Sequence, residues 1–166
     1  MRAFFDTNVV VYAYDSNAGS KRQRAIALIE EHVRAASMVL STQVLVEAYN
    51  ALLRAALLEK ETALAVVEAL AEERVVATDA ALVVRAIRFA QRHQLSHWDG
   101  LIVQAAVDAG CSVLFSEDLQ AGARFGDLDV VNPFADTMRQ PESTYAAGKR
   151  ERPAPVRKTS RKRPAE

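Results

Sequence analysis

Two acidic residues each follow a short apolar segment of strand length. Asp6 comes directly after Ala3-Phe4-Phe5, and Asp118 lies three residues beyond Phe115, where the apolar segment 112–115 ends. In open parallel α/β sheets, ligands bind beyond the carboxyl ends of the strands. Each acid taken alone is equally typical of a turn or helix cap. Their shared position after apolar segments predicts that both reach the same edge of one sheet.

Glu47 is a third acid, in the middle of an apolar helical segment. It shares one helix face with Gln43, Asn50 and Arg54 through i, i+3 and i+4 spacing. Alone, this pattern is also typical of a solvated stripe on an amphipathic helix. Because the segment directly follows the apolar run 38–40, its first turns are expected to lie over the same carboxyl edge.

Asp99 is a fourth acid, and it has a structural explanation of its own. The sequence Ser96-His-Trp-Asp fits a capping box, in which the carboxylate three residues on reaches back to the N-cap amide. The neighbouring Trp98 is expected to be a core anchor rather than a stacking platform for bases. The capping role and a role in a site are compatible.

The four acids together indicate a metal site, although none does so alone. Carboxylates crowded within a few ångströms repel one another, and a divalent cation removes that conflict. Oxygen ligands without His or Cys suit Mg²⁺ or Mn²⁺, which can activate water and stabilise the leaving oxygen of a phosphodiester. No Gly-rich phosphate loop and no Ser/His/Asp or Cys/His set competes with this interpretation.

The elements that must position these acids alternate between strands and helices. This alternation predicts a three-layer α/β/α sandwich with a central, mainly parallel sheet. Ser20, Thr42 and Asp79 are predicted N-caps, and Gly110 is a predicted helix stop. The segment from Val9 to Tyr14 could extend the first strand or begin a helix. The predicted strands are 3–5, 38–40, 75–76, 112–115 and 128–131, and the predicted helices are 20–34, 42–58, 62–73, 79–93 and 96–109.

Composition predicts one domain, residues 1–134, followed by a disordered basic tail, residues 138–166. The chain has 166 residues, half of them apolar, and a formal net charge of zero. That zero conceals a net charge of +6 over residues 149–166 and −6 over the rest. The single cysteine, Cys111, cannot form an internal disulfide, and no apolar run approaches the roughly 20 residues of a membrane helix. We therefore expect a cytoplasmic protein without a membrane segment.

The same residues resemble the PIN-domain ribonucleases, and in particular the VapC toxins of bacterial toxin–antitoxin pairs. The resemblance covers residues 1 to about 134 and rests on the order and spacing of several short motifs. These motifs are Phe5-Asp6-Thr7-Asn8, Glu47 in its apolar helix, Ser96-His-Trp-Asp99, Leu114-Phe-Ser-Glu-Asp118-Leu-Gln and the closing segment 125–134.

The resemblance implies an endoribonuclease whose acidic cluster, Asp6, Glu47, Asp99 and Asp118, holds Mg²⁺ or Mn²⁺. It implies supporting roles for Asn8, which would orient Asp6, and for Ser116, a hydroxyl near the cluster. It also implies a homodimer and a cognate antitoxin protein that blocks the site.

The chain departs from the family's pattern at two positions. Ala121 stands where some relatives carry another acid, which weakens the expectation of a second metal site. Gly100 stands where a helix former such as alanine is usual, at a cost of roughly 1 kcal/mol in a helix.

Three other interpretations of the sequence remain open. The chain could be a PIN-fold protein that binds RNA or a protein partner with weak or no catalysis. It could be a metal-dependent phosphohydrolase acting on DNA or on a small phosphate ester. It could also be a structural module without a ligand, although four acids expected at one sheet edge make this the least favoured interpretation.

Overall fold

The computed structural model describes residues 1–55 and 57–135, which form one six-stranded sheet flanked by helices. The predicted disordered tail, residues 138–166, lies outside the described residues. The strand order is β3-β2-β1-β4-β6-β5. The strands are β1 (Ala3–Phe5), β2 (Met38–Ser41), β3 (Arg74–Val76), β4 (Val113–Phe115), β5 (Arg124–Phe125) and β6 (Leu128–Val131).

Within residues 1–55 and 57–135, six helices connect the strands, and all but the first were predicted as helices from the sequence. Residues 9–12 of the segment left open, 9–14, are helical and residues 13–14 form a turn, so the chain passes from the first strand into a short helix. The helices are α1 (Thr7–Tyr12), α2 (Ser20–Arg34), α3 (Thr42–Arg54), α4 (Lys60–Ala71), α5 (Ala80–His93) and α6 (His97–Asp108).

The sheet is parallel except for its last strand, as the predicted fold class requires. The strands β1, β2, β3, β4 and β6 pair in parallel, and β5 pairs with β6 in the antiparallel sense. Every residue of β1 and β2 is buried, which is typical of parallel strands covered on both faces. The two-residue strand β5 was not predicted, because so short a segment has no detectable alternation.

The helix ends show which capping predictions were correct. Asp79 accepts a hydrogen bond from the Leu82 amide at 2.7 Å, which confirms it as the N-cap of α5. Gly110 has a φ of 67°, a left-handed conformation that glycine adopts easily after a helix end. The prediction for Thr42 was wrong by one residue, because the preceding Ser41 hydroxyl caps α3.

Two other helix boundaries also differ from the prediction. Gly19 is the N-cap position of α2 and Ser20 is its first helical residue, without a side-chain cap. Helix α3 ends at Arg54 rather than near the predicted end at Leu58.

Gly100 allows α6 to approach α5 closely. A Cβ at this position would lie 2.8 Å from the Ala90 Cβ and 2.9 Å from the Ala86 carbonyl oxygen. Real Cβ atoms essentially never come so close to a backbone atom, so the two helices would have to move apart. The glycine that departs from the family pattern is therefore required by the packing of these two helices.

We predict that Gly100→Ala destabilises the protein, although alanine is the better helix former by about 1 kcal/mol. Overpacking a tight contact typically costs about 1–3 kcal/mol, so the net free energy of unfolding should fall. Chemical denaturation measures this change. Val107→Ala, at a partly exposed position of the same helix, is the control and should have a small effect. An increase in stability for Gly100→Ala would contradict the packing argument.

Candidate functional site

Asp6 joins the end of β1 to the start of α1 and is held by three donors. Its Oδ1 accepts a hydrogen bond from the Thr7 amide at 2.7 Å, and its Oδ2 accepts one from the Ser116 hydroxyl at 2.6 Å. The Asn8 side-chain amide also donates to Oδ2, at 3.2 Å. Asp6 is thus both the N-cap of α1, as one interpretation held, and the best-held carboxylate at the carboxyl edge of the sheet.

Asn8 connects Asp6 to Asp118. Its Nδ2 donates to Oδ2 of Asp118 at 3.2 Å, the same distance as to Asp6. Its Oδ1 accepts a hydrogen bond from the Glu117 amide at 3.3 Å, which fixes the orientation of the side chain. The structure therefore brings these two predicted acids together around one amide group.

Ser116 is a fully buried residue whose hydroxyl contacts the first of these acids. It donates to Asp6 and accepts from the Leu119 amide at 3.2 Å, so it holds the turn that follows β4. Both supporting residues predicted from the sequence, Asn8 and Ser116, thus lie in direct contact with Asp6.

Glu47 reaches the site from α3 and is connected to it through Thr7. Its Oε2 accepts a hydrogen bond from the Thr7 hydroxyl at 2.7 Å, and its Oε1 accepts one from the Gln43 amide at 2.8 Å. Thr7 was not singled out in the sequence, although its place between Asp6 and Asn8 was a signal that could have identified it. Glu47 is therefore neighbour to Asp6 but is separated from it by a hydroxyl group.

Asp99 lies in the first turn of α6 and lines the same surface depression as the other three acids. The Ser96 hydroxyl accepts a hydrogen bond from the Asp99 amide at 3.1 Å, which confirms Ser96 as the N-cap. Among residues 1–55 and 57–135, the Ser96 amide donates no hydrogen bond to the Asp99 carboxylate. The second hydrogen bond of the predicted capping box is therefore absent. The carboxylate instead lines the cavity.

The prediction for Trp98 was wrong. Its side chain is 67% exposed and lies at the rim of the site instead of in the core. Gly100 packs against α5, and residues two positions apart in a helix do not share a face, so Trp98 points away from that contact.

The four acids line one cavity of about 490 Å³, which we call the acidic cavity. Arg54 and Trp98 lie in its wall, and Thr7, Asn8 and Tyr12 contribute polar groups. Burial raises the pKa of Asp6 above its usual value. Hydrogen bonds from Ser116 and Thr7 act in the opposite direction, whereas the nearby charges of Asp118 and Glu47 raise it further.

Glu117, between Ser116 and Asp118, has a structural role that the sequence did not reveal. Lys21 and Tyr12 both donate to its carboxylate at 2.5 Å, and the Lys21 ammonium lies 4.8 Å from the centre of the Tyr12 ring. Burial alone would raise the pKa of Glu117, but the hydrogen bonds from Lys21 and Tyr12 hold it below its usual value. Through Glu117, Tyr12 and Lys21 connect the loop that carries Asp118 to α1 and α2.

The donor set fits a hard divalent cation that keeps much of its water. No three Asp, Glu, His or Cys side chains among residues 1–55 and 57–135 are close enough to form a metal site by themselves. Asp6 and Asp118 are neighbours around Asn8, however, and Mg²⁺ is usually bound by one or two carboxylates with several waters. A magnesium ion held mainly by these two acids is therefore compatible with the arrangement.

The sheet is mainly parallel and lies between helices, with a carboxylate-lined cavity at its carboxyl edge, so the described residues form a three-layer α/β/α protein with an acidic site. The PIN domain family model matches residues 3–124, and the chain belongs to this family. No curated protein matches it in sequence. Among residues 1–55 and 57–135, no helix combines the length and apolar character needed to cross a membrane.

Several solved structures share this fold. VapC20 of Mycobacterium tuberculosis, a Sarcin-Ricin loop cleaving toxin, is 20% identical with a TM-score of 0.55, over 70% of this chain and 91% of that one. VapBC2 from Rickettsia felis, bound to promoter DNA, is 18% identical with a TM-score of 0.57, over 78% and 97%. A toxin–antitoxin complex from Klebsiella pneumoniae is 18% identical with a TM-score of 0.59, over 79% and 97%.

We predict that Mg²⁺ or Mn²⁺ stabilises the folded protein, because a cation bound at Asp6 and Asp118 relieves their repulsion. Binding to the folded state alone adds about 2.7 kcal/mol when the metal is at a hundredfold excess over its Kd. Thermal unfolding with and without metal measures this effect. Asp6→Asn should raise the melting temperature without metal, since burial penalises the charge, and should remove most of the metal response.

Asp127→Asn is the matched control, because Asp127 is exposed and does not line the acidic cavity. This variant should keep the full response. A wild-type melting temperature that is indifferent to millimolar Mn²⁺ would contradict a metal site at these acids.

Proposed function

We propose that this protein is a metal-dependent endoribonuclease that cuts RNA phosphodiesters at the acidic cavity. The observation that carries the proposal is the Asn8-bridged pair of Asp6 and Asp118 at the carboxyl edge of a PIN domain. Glu47 and Asp99 line the same cavity and complete the set of four. The family membership supports the nuclease class, and the residues supply the oxygen donors that such chemistry needs.

The chain's own residues have separable roles in this proposal. Asp6 and Asp118 would hold Mg²⁺ or Mn²⁺, with Glu47 and Asp99 completing its surroundings through water. The bound metal supplies an activated water and stabilises the leaving oxygen of the phosphodiester. Asn8 and Ser116 keep the first acid in place, and Thr7 orients Glu47 through the hydrogen bond to its Oε2.

We further propose that the protein is the toxin of a bacterial toxin–antitoxin pair. The Klebsiella pneumoniae neighbour is a toxin–antitoxin complex, and the Mycobacterium tuberculosis neighbour is a toxin that cleaves the Sarcin-Ricin loop. These likenesses support a cognate antitoxin protein as the partner that blocks the site, and the resemblance of the sequence motifs implies a cytoplasmic homodimer. They leave the RNA target of this chain to experiment.

A second candidate is a PIN-fold protein that binds RNA or a partner with weak catalysis or none. The absence of a three-acid group among residues 1–55 and 57–135 favours it. It predicts a protein that binds RNA in the acidic cavity but releases it uncut. The cleavage assay below separates the two candidates.

We predict that the purified protein cuts labelled RNA in Mn²⁺ or Mg²⁺ and leaves it intact in chelator. Asp6→Asn and Asp118→Asn should each reduce the rate by at least about a hundredfold, since each removes a charge that the metal needs. The measurement is the cleavage rate on RNA and on DNA of the same sequence. Mapping the cut ends in total cellular RNA then identifies the target.

The control for these variants is Asp127→Asn, which removes an exposed carboxylate outside the cavity and should cut at the wild-type rate. Circular dichroism must show that all the variants are folded. Wild-type protein that binds RNA without cutting it would support the second candidate. An Asp6→Asn variant with normal activity would contradict the assignment of the site.

We also predict that expression of the wild-type protein without a partner arrests bacterial growth. Asp6→Asn should abolish the arrest at equal protein levels, because growth arrest requires cleavage of an essential RNA. Co-expression of the protein encoded beside it should restore growth, and that protein should copurify with the wild type. Normal growth with active, accumulated wild-type protein would exclude a toxin role and leave the nuclease proposal to the cleavage assay.

A further inference from the structure

A second cavity of about 760 Å³, which we call the side cavity, opens directly beside the acidic cavity. The two cavities share Gln43, Glu47, Arg54 and Trp98 in their walls. The two cavities are therefore neighbours, and a flexible chain in the acidic cavity can extend over this shared wall into the side cavity. The remaining lining residues are apolar or carry hydroxyl groups, and they are Thr42, Val46, Thr78 and Leu101.

Trp98 presents an aromatic surface to this shared wall. The indole is 67% exposed, and Val46, in the same cavity, is 62% exposed. Its backbone is fixed in the first turn of α6, between the N-cap Ser96 and Asp99. A flat, exposed apolar ring is complementary to a ligand with a flat apolar face, such as an unpaired base.

Arg54 supplies a positive charge at the same wall. Its Nε donates to the Asn50 carbonyl oxygen at 3.4 Å, within its own helix. Among the side chains of residues 1–55 and 57–135, Arg54 forms no ion pair, so its charge is available to a ligand. An arginine beside a cavity lined with carboxylates is well placed to hold an anionic group such as a phosphate.

Gln43 contributes an unsatisfied acceptor at the junction of the two cavities. Its Nε2 donates to Glu47, but its Oε1 is buried and has no hydrogen-bond partner among the described residues. A buried acceptor without a donor costs about 1–3 kcal/mol. A rotation of the Gln43 amide that exposed this oxygen would let a ligand N–H reach it, and the edges of nucleobases carry such donors.

We propose that the side cavity binds the base of the nucleotide next to the cut phosphodiester. Trp98 stacks on the base, and Arg54 holds a phosphate beside it. Aromatic stacking is the general way in which proteins hold unpaired bases, and it tolerates differences in sequence. The inference rests on the proposed function, because it places this nucleotide beside the acids that cut the chain. An exposed indole and an arginine without an ion pair among the described residues, both beside the acids, favour RNA over a protein segment as the occupant, because a nucleotide offers a base to the one and a phosphate to the other.

The single tryptophan of the chain provides a direct test. Full-length Asp6→Asn protein, which should hold RNA without cutting it, is titrated with a short single-stranded RNA of mixed sequence. Tryptophan emission then reports on Trp98 alone, and anisotropy of dye-labelled RNA reports binding independently. We expect saturable quenching by RNA at the concentration where anisotropy rises. Inorganic polyphosphate, which has charge but no bases, should compete for binding with little quenching.

Variants at the two positions separate stacking from charge. Trp98→Leu should weaken RNA affinity roughly tenfold, and Trp98→Phe, which keeps a ring, by roughly threefold at most. Arg54→Gln should lower the slope of log affinity against log salt by about 0.7. Arg88→Gln is its control, since Arg88 is exposed on α5 and lines neither cavity. In cleavage by otherwise wild-type protein, Trp98→Leu should raise KM more than it lowers kcat.

The outcomes distinguish this inference from the proposed function. RNA that binds and is cut by wild type, but leaves Trp98 emission unchanged, would overturn the stacking role and leave the nuclease intact. Equal quenching by RNA and polyphosphate would also overturn it, because charge alone would explain the signal. Quenching by a copurifying protein partner but not by RNA would assign the side cavity to that partner. RNA that is neither bound nor cut would overturn both.

Discussion

Charge repulsion among the acids at the carboxyl edge of the sheet is the constraint that the surrounding structure must satisfy. The structure meets it by placing neutral donors between the carboxylates. Asn8 lies between Asp6 and Asp118, and the Thr7 hydroxyl lies beside Glu47. Each donor stabilises charge on its acid and also keeps two acids from direct contact. The arrangement leaves room for a hydrated cation.

The topology brings these groups together from distant parts of the chain. Strands β1 and β4 are neighbours in parallel, and the Asp6 amide donates to the Phe115 carbonyl oxygen at 3.0 Å, just beyond their ends. The residues that follow each strand therefore meet at one edge. Glu117 then connects the second of these loops to Lys21, on α2, so the position of Asp118 depends on a helix that contributes no acid to the cavity. The parallel pairing of β1 with β4 brings Asp6 and Asp118 to one edge. The ion pair between Lys21 and Glu117 then holds the loop of Asp118, the more exposed of the two.

Sequence reasoning could predict the parts of this arrangement that depend on local pattern. The buried strands are continuous apolar runs, and Asp6 directly follows one of them while Asp118 lies three residues beyond another, so both the sheet and the placement of these two acids at its edge were predictable. The cap of α3 was not, because Ser41 and Thr42 are adjacent residues with equivalent hydroxyls and only the local backbone selects between them. The bond between Lys21 and Glu117 was equally out of reach, because 96 residues separate the partners.

The start of α6 shows how packing elsewhere determines the chemistry available at the cavity. Gly100 allows α6 to lie against Ala86 and Ala90 of α5, closer than any residue with a Cβ would permit. The two residues before that glycine, Trp98 and Asp99, are thereby held at the rim, one aromatic and the other acidic. Trp98 was predicted to be a core residue because large apolar residues are usually buried. The close contact on the other side of the helix instead orients it outward, and an acid and an aromatic ring from adjacent positions face the same ligand space.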